Sequence, residues 1–388
     1  MKQIKYLVMA FAAVCLTAGL TSCEKEKEVE KIVEKPIEVI VEKTDTIIKN
    51  EPTSNWERYQ ALVTADVKAN KKHNKAILLV AFGSTWEQAF NAFDTTIEAY
   101  KNAFADYDIF LSYSSAICIN RAAAGENGVT RNYYAPPFWL NAFAAQGVQY
   151  QEIVIQSLQV IPGEEYTRVI NYIKDFANNA NGDLDDAYLA NVTLKLGVPL
   201  LQDAEADVNL VAKELNNLYS NKAAEGVVAF MGHGNPDSYD TYKANVRYTE
   251  LEVALQKYSK NYFVGTVDMM DNFKTNVYER MQAAGITNGK VYCHPLMSID
   301  GDHGHNDMAG DDDDNWEDGV GFTPNEEGEV EDTSWKMYFQ HLGYECNDET
   351  MINLGLLELP TIRQVWMNHT QDAINGEPLD YYHSKNPE

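Results

Sequence analysis

The chain has 388 residues, 31 Lys and Arg against 58 Asp and Glu, and a formal net charge of −27. So acidic a chain lacks the basic face that displaces counterions from nucleic acid, while a hydrophobic content of 45% is that of a folded protein with one large or two medium domains. Of its five cysteines, Cys15 and Cys23 lie at the extreme N-terminus; Cys118, Cys293 and Cys346 are odd in number and far apart, so neither a disulfide framework nor a CxxC metal knuckle is predicted.

Lys2 and Lys5 precede an apolar run from Tyr6 to Leu20 that is too short to span a bilayer and is flanked as a secretory signal is. It ends in Leu20-Thr21-Ser22-Cys23, which resembles a bacterial lipobox. Residues 1–22 are therefore read as a lipoprotein signal peptide and Cys23 as the lipidated residue. The chain would then sit at the cell envelope, anchored to the outer membrane on its periplasmic or surface side. The plainer alternative is an ordinary signal peptide with a chance cysteine. From Glu24 to Asn50, Glu and Lys alternate around isolated Val and Ile, interrupted by Pro36. Such a stretch buries little apolar area, and 23–73 is expected to be a charged tether.

From Lys75 onward, short apolar runs alternate with amphipathic patterns, the signature of βαβ units and parallel sheets. Strands are predicted at Ala76–Phe82, Asp108–Ser112, Glu152–Leu158, Leu194–Gly197, Gly226–Met231, Tyr262–Val267 and Val291–Met297. Helices are predicted at Trp86–Asp106, Glu164–Ala177, Asp203–Tyr219, Thr249–Tyr258, Asp271–Ala284 and Thr361–Ala373. The construction restarts near Val227, so residues 74–223 and 224–388 are read as two similar Rossmann-like α/β halves, parallel sheets flanked by helices with a cleft between them. Ligands of open α/β sheets bind outside the carboxyl ends of the strands.

Three strand ends carry chemistry. His233 stands in Gly232-His233-Gly234-Asn235, where the flanking glycines permit a tight turn and keep the ring uncovered. A buried structural histidine would be the bland alternative. The second site is Asp300-Gly301-Asp302-His303-Gly304-His305-Asn306-Asp307, whose histidines and acids suit a divalent metal of intermediate softness. A polar loop fits that spacing equally well, and only one of the two histidines need be a ligand. The third is Gly265-Thr266-Val267-Asp268, whose carboxylate either enters the same cleft or caps the next helix. His73 and His383 are expected to be solvated; His294, His341 and His369 are read as structural. Ser84, after the first strand, is expected to cap the following helix. There is no GxxxxGK[ST], GxGxxG, GxSxG or HExxH, which removes the commonest nucleotide, hydrolase and zincin classes.

Taken together, these segments resemble the anaerobic-type sirohydrochlorin cobaltochelatases of the class II chelatase superfamily, relatives of ferrochelatase. The residues that carry the resemblance are Leu79-Val-Ala-Phe-Gly-Ser-Thr85, Gln156-Ser-Leu-Gln-Val-Ile-Pro-Gly-Glu-Glu-Tyr166, Leu196-Gly-Val-Pro-Leu-Leu201, Met231-Gly-His-Gly234, Gly265-Thr-Val-Asp268 and Pro295-Leu-Met297 with Gly301-Asp-His-Gly-His305. The resemblance implies two chelatase-type halves and a tetrapyrrole substrate of sirohydrochlorin or porphyrin type. The metal, Co²⁺ or Fe²⁺, would be a substrate, with no organic cofactor. It further implies that His233 and His303 are metal ligands and proton acceptors, and that Asp268 is the anionic ligand where the family usually has Glu. Gln159 stands where the family pattern has His, and 311–333 reads as an acidic insertion.

Metal insertion exchanges two pyrrole N–H protons for a divalent cation, so a base neutral near pH 7 is needed, and histidine meets that condition. His305, Glu164 and Glu165 are accessory candidates, the two glutamates as proton carriers or simply as first-turn helix acids. A carboxylated macrocycle needs local cations, expected along Lys243–Lys290, where seven Lys and Arg face five acids, and at Arg121 and Arg131. Between Asp300 and Asp332 there are 14 Asp and Glu and no Lys or Arg, a solvated acidic loop or a cation-gathering lip. Two functions remain open at this point: an exported chelatase, running as insertion or as metal removal, and a non-catalytic lipoprotein that binds a tetrapyrrole or metal for uptake.

Overall fold

Continuous apolar runs closed by small residues build two parallel sheets in the computed structural model, which describes residues 55–381 except 236–239, 241, 268–271, 326–329 and 331. The first sheet comprises β1 (Lys75–Ala81), β2 (Asp108–Tyr113), β3 (Glu152–Ser157) and β4 (Thr193–Gly197) in the order β2-β1-β3-β4. In the second half β5 (Val227–Gly232), β6 (Tyr262–Thr266) and β7 (Gly289–Leu296) follow, then a small antiparallel hairpin of β8 (Trp316–Glu317) and β9 (Gly321–Phe322), then β10 (Tyr344–Glu345). The second sheet runs β6-β5-β7-β10, the same order as the first. Leu78 pairs with Phe110 and Ile155, and Phe230 with Val264 and His294. A parallel strand covered on both faces must be apolar throughout, and six of the seven β1 residues are buried.

All seven expected strands form, within two residues of their expected ends. The helices of the first half are α1 (Asn55–Asn70), α2 (Glu87–Ala103), α3 (Ala116–Ala124), α4 (Pro136–Ala144), α5 (Glu164–Ala177) and α6 (Asp186–Leu189). Then come α7 (Ala206–Glu225), α8 (Val246–Leu255), α9 (Glu279–Ala283), α10 (Trp335–His341) and α11 (Pro360–Asn375). Two π-helical turns, Phe273–Tyr278 and His303–Met308, complete the second half.

Two parts of the expected organisation change. The tether read over 23–73 does not extend through 55–70, which form α1: Val63 and Val67 are buried in the core beside Trp139 and Phe143 of α4. At the other end α11 leaves the second sheet and packs on β3 and β4 of the first. Trp366 is buried and donates its indole N–H to Gln159 O at 3.2 Å, and Lys195 Nζ of β4 donates to the last carbonyls of α11, Ile374 O at 2.5 Å and Gly376 O at 2.7 Å. A cation there satisfies carbonyls that a helix C-terminus leaves open. One apolar cluster runs from Ile77 and Leu79 through Phe230 to Leu357 and Trp366, so the two halves share a core. No described helix is long and apolar enough to cross a membrane.

Candidate functional site

In each sheet the first strand lies between the second and the third, so the connections leaving the first and the third strands run in opposite directions and open a crevice at the carboxyl ends of these two neighbours. An open cavity of about 1010 Å³ fills the space between the two crevices. Its walls come from the segments after β1 (Phe82–Thr85), β3 (Gln159–Ile161), β5 (His233–Asn235) and β7 (Leu296–His303), with Cys118 and Arg121 of α3 added.

His233 and His303 both line this cavity, with ring centroids 4.8 Å apart in an edge-to-face arrangement. Gly234 makes the turn after His233 possible: its φ is +82°, and a Cβ there would meet the Thr266 side chain at 2.9 Å. Each ring has an oxygen acceptor at Nδ1, Gly234 O at 2.8 Å for His233 and Asp307 Oδ2 at 2.6 Å for His303. With the proton on Nδ1 facing an acceptor, the basic atom of each neutral ring is Nε2. Asp307 stood in the sequence only as one of the acids flanking the histidines, with no role of its own. The His303-x-x-x-Asp307 spacing, which places two side chains on one face of a helical turn, was the available signal.

His305 turns away from the cavity. Its ring lies edge-on against Trp86 at 3.8 Å, Nδ1 is 3.4 Å from Asp300 Oδ2, and burial lowers its pKa. Residues two apart on a helical turn face different sides, so only one histidine of the pair reaches the site. Asp300 behind it is fully buried, neither oxygen has a hydrogen bond, and burial with the nearby Glu358 charge pushes its carboxyl up to about 7. Asp302 ties the halves together, accepting from Trp86 Nε1 at 2.6 Å and facing Arg121 Nη1 at 3.6 Å. Glu165 lines the cavity and Glu164 does not. Asp268 and Cys23 lie outside the described residues, as does His383. Among the described residues no three His, Cys, Asp or Glu side chains converge as a metal-holding set, so the two histidines would need a donor from elsewhere to complete one.

The cationic stretch expected over 243–290 does not form a cavity wall. Arg247 pairs with Glu250 at 2.5 Å, Arg280 pairs with buried Glu252, and Lys290 pairs with Glu225 at 2.5 Å. Arg131 is held by Asp94 at 2.8 Å and does not line the cavity; Arg121 is the Lys or Arg that does among the described residues, itself 3.3 Å from Glu126 and 3.6 Å from Asp302. Gln159 also lines it, 6% exposed, with its side-chain carbonyl taken by the Ser157 hydroxyl and Nε2 without a hydrogen-bond partner. Ser84 Oγ accepts the Trp86 N–H at 3.2 Å; it shapes the turn and does not cap α2, contrary to expectation. His294 is structural as expected, buried against Tyr219 with its pKa lowered to about 4 by desolvation. His73 is not simply solvated: Nδ1 is 2.9 Å from Asp108 Oδ1. His341 stacks on Trp316 at 4.9 Å and bonds Asp313, so the acidic insertion has a folded aromatic side.

The family model for cobalt chelatase (CbiK) matches residues 75–323. The chain is 30% identical over 305 residues to the sirohydrochlorin cobaltochelatase of Salmonella typhimurium, covering 78% of this chain and 97% of that protein. It is 26% identical over 305 residues to the sirohydrochlorin cobaltochelatase CbiKC of Nitratidesulfovibrio vulgaris, covering 78% and 91%. Among solved structures, SirB from Bacillus subtilis with Fe³⁺ matches at 14% identity and a TM-score of 0.46, over 78% of this chain and 96% of that one.

Proposed function

The chain belongs to the cobalt chelatase family and is a tetrapyrrole metal chelatase, and on that premise we propose that it inserts Co²⁺ into a sirohydrochlorin-type macrocycle held in the cavity between its two halves. The observation that carries this assignment of the site is the pairing of His233 and His303, 4.8 Å apart on the wall where two crevices meet. Insertion removes two pyrrole protons and delivers a dication to the same ring. A neutral imidazole performs both tasks in turn, since the Nε2 lone pair that holds a metal is the one that accepts a proton. Asp268, two residues beyond β6 in the sequence, would supply the anionic third ligand. Its shorter side chain, compared with Glu, would loosen the metal site or shift the ion it prefers, with Fe²⁺ the alternative to Co²⁺. Arg121 would meet a ring carboxylate, while Glu165 would pass protons to solvent.

The test is spectrophotometric. Purified protein is mixed with sirohydrochlorin and Co²⁺, beside His233→Ala and His303→Ala. The absorption change of insertion is expected with the wild type and slowed about 10²- to 10⁴-fold in each variant. Bound macrocycle without insertion, unchanged in both variants, would leave a carrier and overturn the site assignment. The segment ending at Cys23 supports export and anchoring at the cell envelope. A fatty-acid label incorporated by the wild type and lost in Cys23→Ser is the expected result, and equal labelling would overturn it.

A further inference from the structure

Cys293 and Cys346 are 53 residues apart in the chain, yet their sulfurs are 4.0 Å apart, both buried. Cys293 lies in β7, the strand that leads to the His303 turn, and Cys346 directly follows β10. The segment beyond runs alongside: Met351 forms a parallel bridge with Cys293, and Ile352 N donates to Cys293 O at 2.8 Å. β10 is a minimal edge strand, held to β7 by only the pairs Tyr344 with Gly289 and Glu345 with Lys290. The third body cysteine, Cys118, lies on α3 at the cavity wall.

We propose that Cys293 and Cys346 are a disulfide site, closed during folding by exchange with a low-molecular-weight disulfide and stapling the β10 edge to β7. One thiol loses its proton and attacks the external disulfide, releasing one small thiol and leaving a mixed disulfide. The second thiolate then attacks the protein sulfur of that mixed disulfide and releases the other small thiol. Two protein thiols are oxidised and one external disulfide is reduced to two thiols, so electrons and protons balance. An S–S bond of about 2.05 Å needs the two sulfurs to close by about 2 Å, within the reach of side-chain rotation and a small strand shift. Burial raises the Cys293 thiol well above its ordinary value, so thiolate is scarce in the folded chain. The bond would therefore form before the sheet closes and, once formed, would resist reductant. The closed loop contains His303 and the whole acidic hairpin, so the staple would restrict the segment that carries the second histidine.

The experiment refolds the full chain in reduced and oxidised glutathione and maps cysteines by differential alkylation and peptide mass. A Cys293–Cys346 linked peptide, with Cys118 still alkylatable, is the expected result. Both thiols alkylatable after oxidative refolding would overturn the proposal, as would a bond from either one to Cys118. The oxidised wild type should melt about 5 °C above the reduced form, as closure of a long loop implies. That gap should vanish in Cys293→Ser and persist in Cys118→Ser. Equal melting of oxidised and reduced wild type would overturn the staple.

Discussion

Asp307 Oδ2 lies 2.6 Å from Nδ1 of His303, both within the π-helical turn that ends β7's connection to the cavity. The carboxylate fixes the tautomer and orients the ring so that its Nε2 faces away from the acid, as carboxylate partners of metal-binding histidines do. Asp307→Ala is expected to weaken Co²⁺ binding about 10- to 100-fold while the melting temperature changes little, because Asp307 is partly exposed. Titration calorimetry with Co²⁺ and a thermal melt on the same sample check it. A variant that binds Co²⁺ as the wild type does would remove Asp307 from the site.

Asp300 behaves in the opposite sense to a surface acid. Its folded-state pKa is raised from 3.8 to about 7, so the fold favours the protonated carboxyl. The stability this gives is present below about pH 4 and is lost as pH rises through about 7, up to about 4 kcal/mol in all. Asp300→Asn has no charge to bury, so its stability relative to wild type should rise between pH 4 and pH 8. Denaturant melts at those two pH values read the difference directly. A constant difference would mean that the carboxylate finds a partner when ionised.

The strands were legible because Ile77-Leu-Leu-Val80 and Val227-Val-Ala-Phe230 are unbroken apolar runs, which parallel strands require and helices do not. His233 stood out because two glycines bracket it. Its nearness to His303 depends on β5 and β7 being neighbours, a tertiary fact that came into view only through the family resemblance. α1 was missed because just two of its side chains, Val63 and Val67, are buried in an otherwise polar stretch beside a real low-complexity segment. The basic stretch was misjudged because Arg247, Arg280 and Lys290 are each paired, with Glu250 one turn along the same helix, Glu252 of the same stretch and Glu225 outside it, and a net count does not say which cations are left to face the cavity.

His294 titrates the other way from Asp300. Burial lowers its pKa from 6.5 to about 4, so the neutral ring, bonded to Tyr219 and Pro295 O, is the form the fold holds. The stability tied to it is present above about pH 6.5 and falls as pH drops toward 4, by up to about 3 kcal/mol. In His294→Gln that acid-side loss should be absent, so the variant's deficit against wild type should shrink between pH 7 and pH 4. An unchanged deficit would show that the ring is already charged, or already solvated, at neutral pH.

Gln159 closes the cavity wall with a donor that no protein atom takes. Its Nε2 is buried, while the side-chain carbonyl is engaged by Ser157 and the backbone carbonyl by Trp366 and Leu200. An unmet buried donor on a residue that lines a ligand cavity is satisfied if a small side-chain rotation brings it to an acceptor on the ligand, and the macrocycle brings carboxylates. Gln159→Leu should therefore raise KM for the tetrapyrrole about tenfold, the equivalent of one hydrogen bond at about 1.4 kcal/mol, with kcat and the Co²⁺ dependence nearly unchanged. Gln159→His keeps an N–H at the same wall and should stay within about threefold of wild type. Steady-state kinetics varying each substrate separately distinguish the cases. A Gln159→Leu enzyme with wild-type KM would mean that the amide never meets the ring. One that loses kcat alone would place Gln159 at the metal and its protons, beside His233, and away from the carboxylate rim.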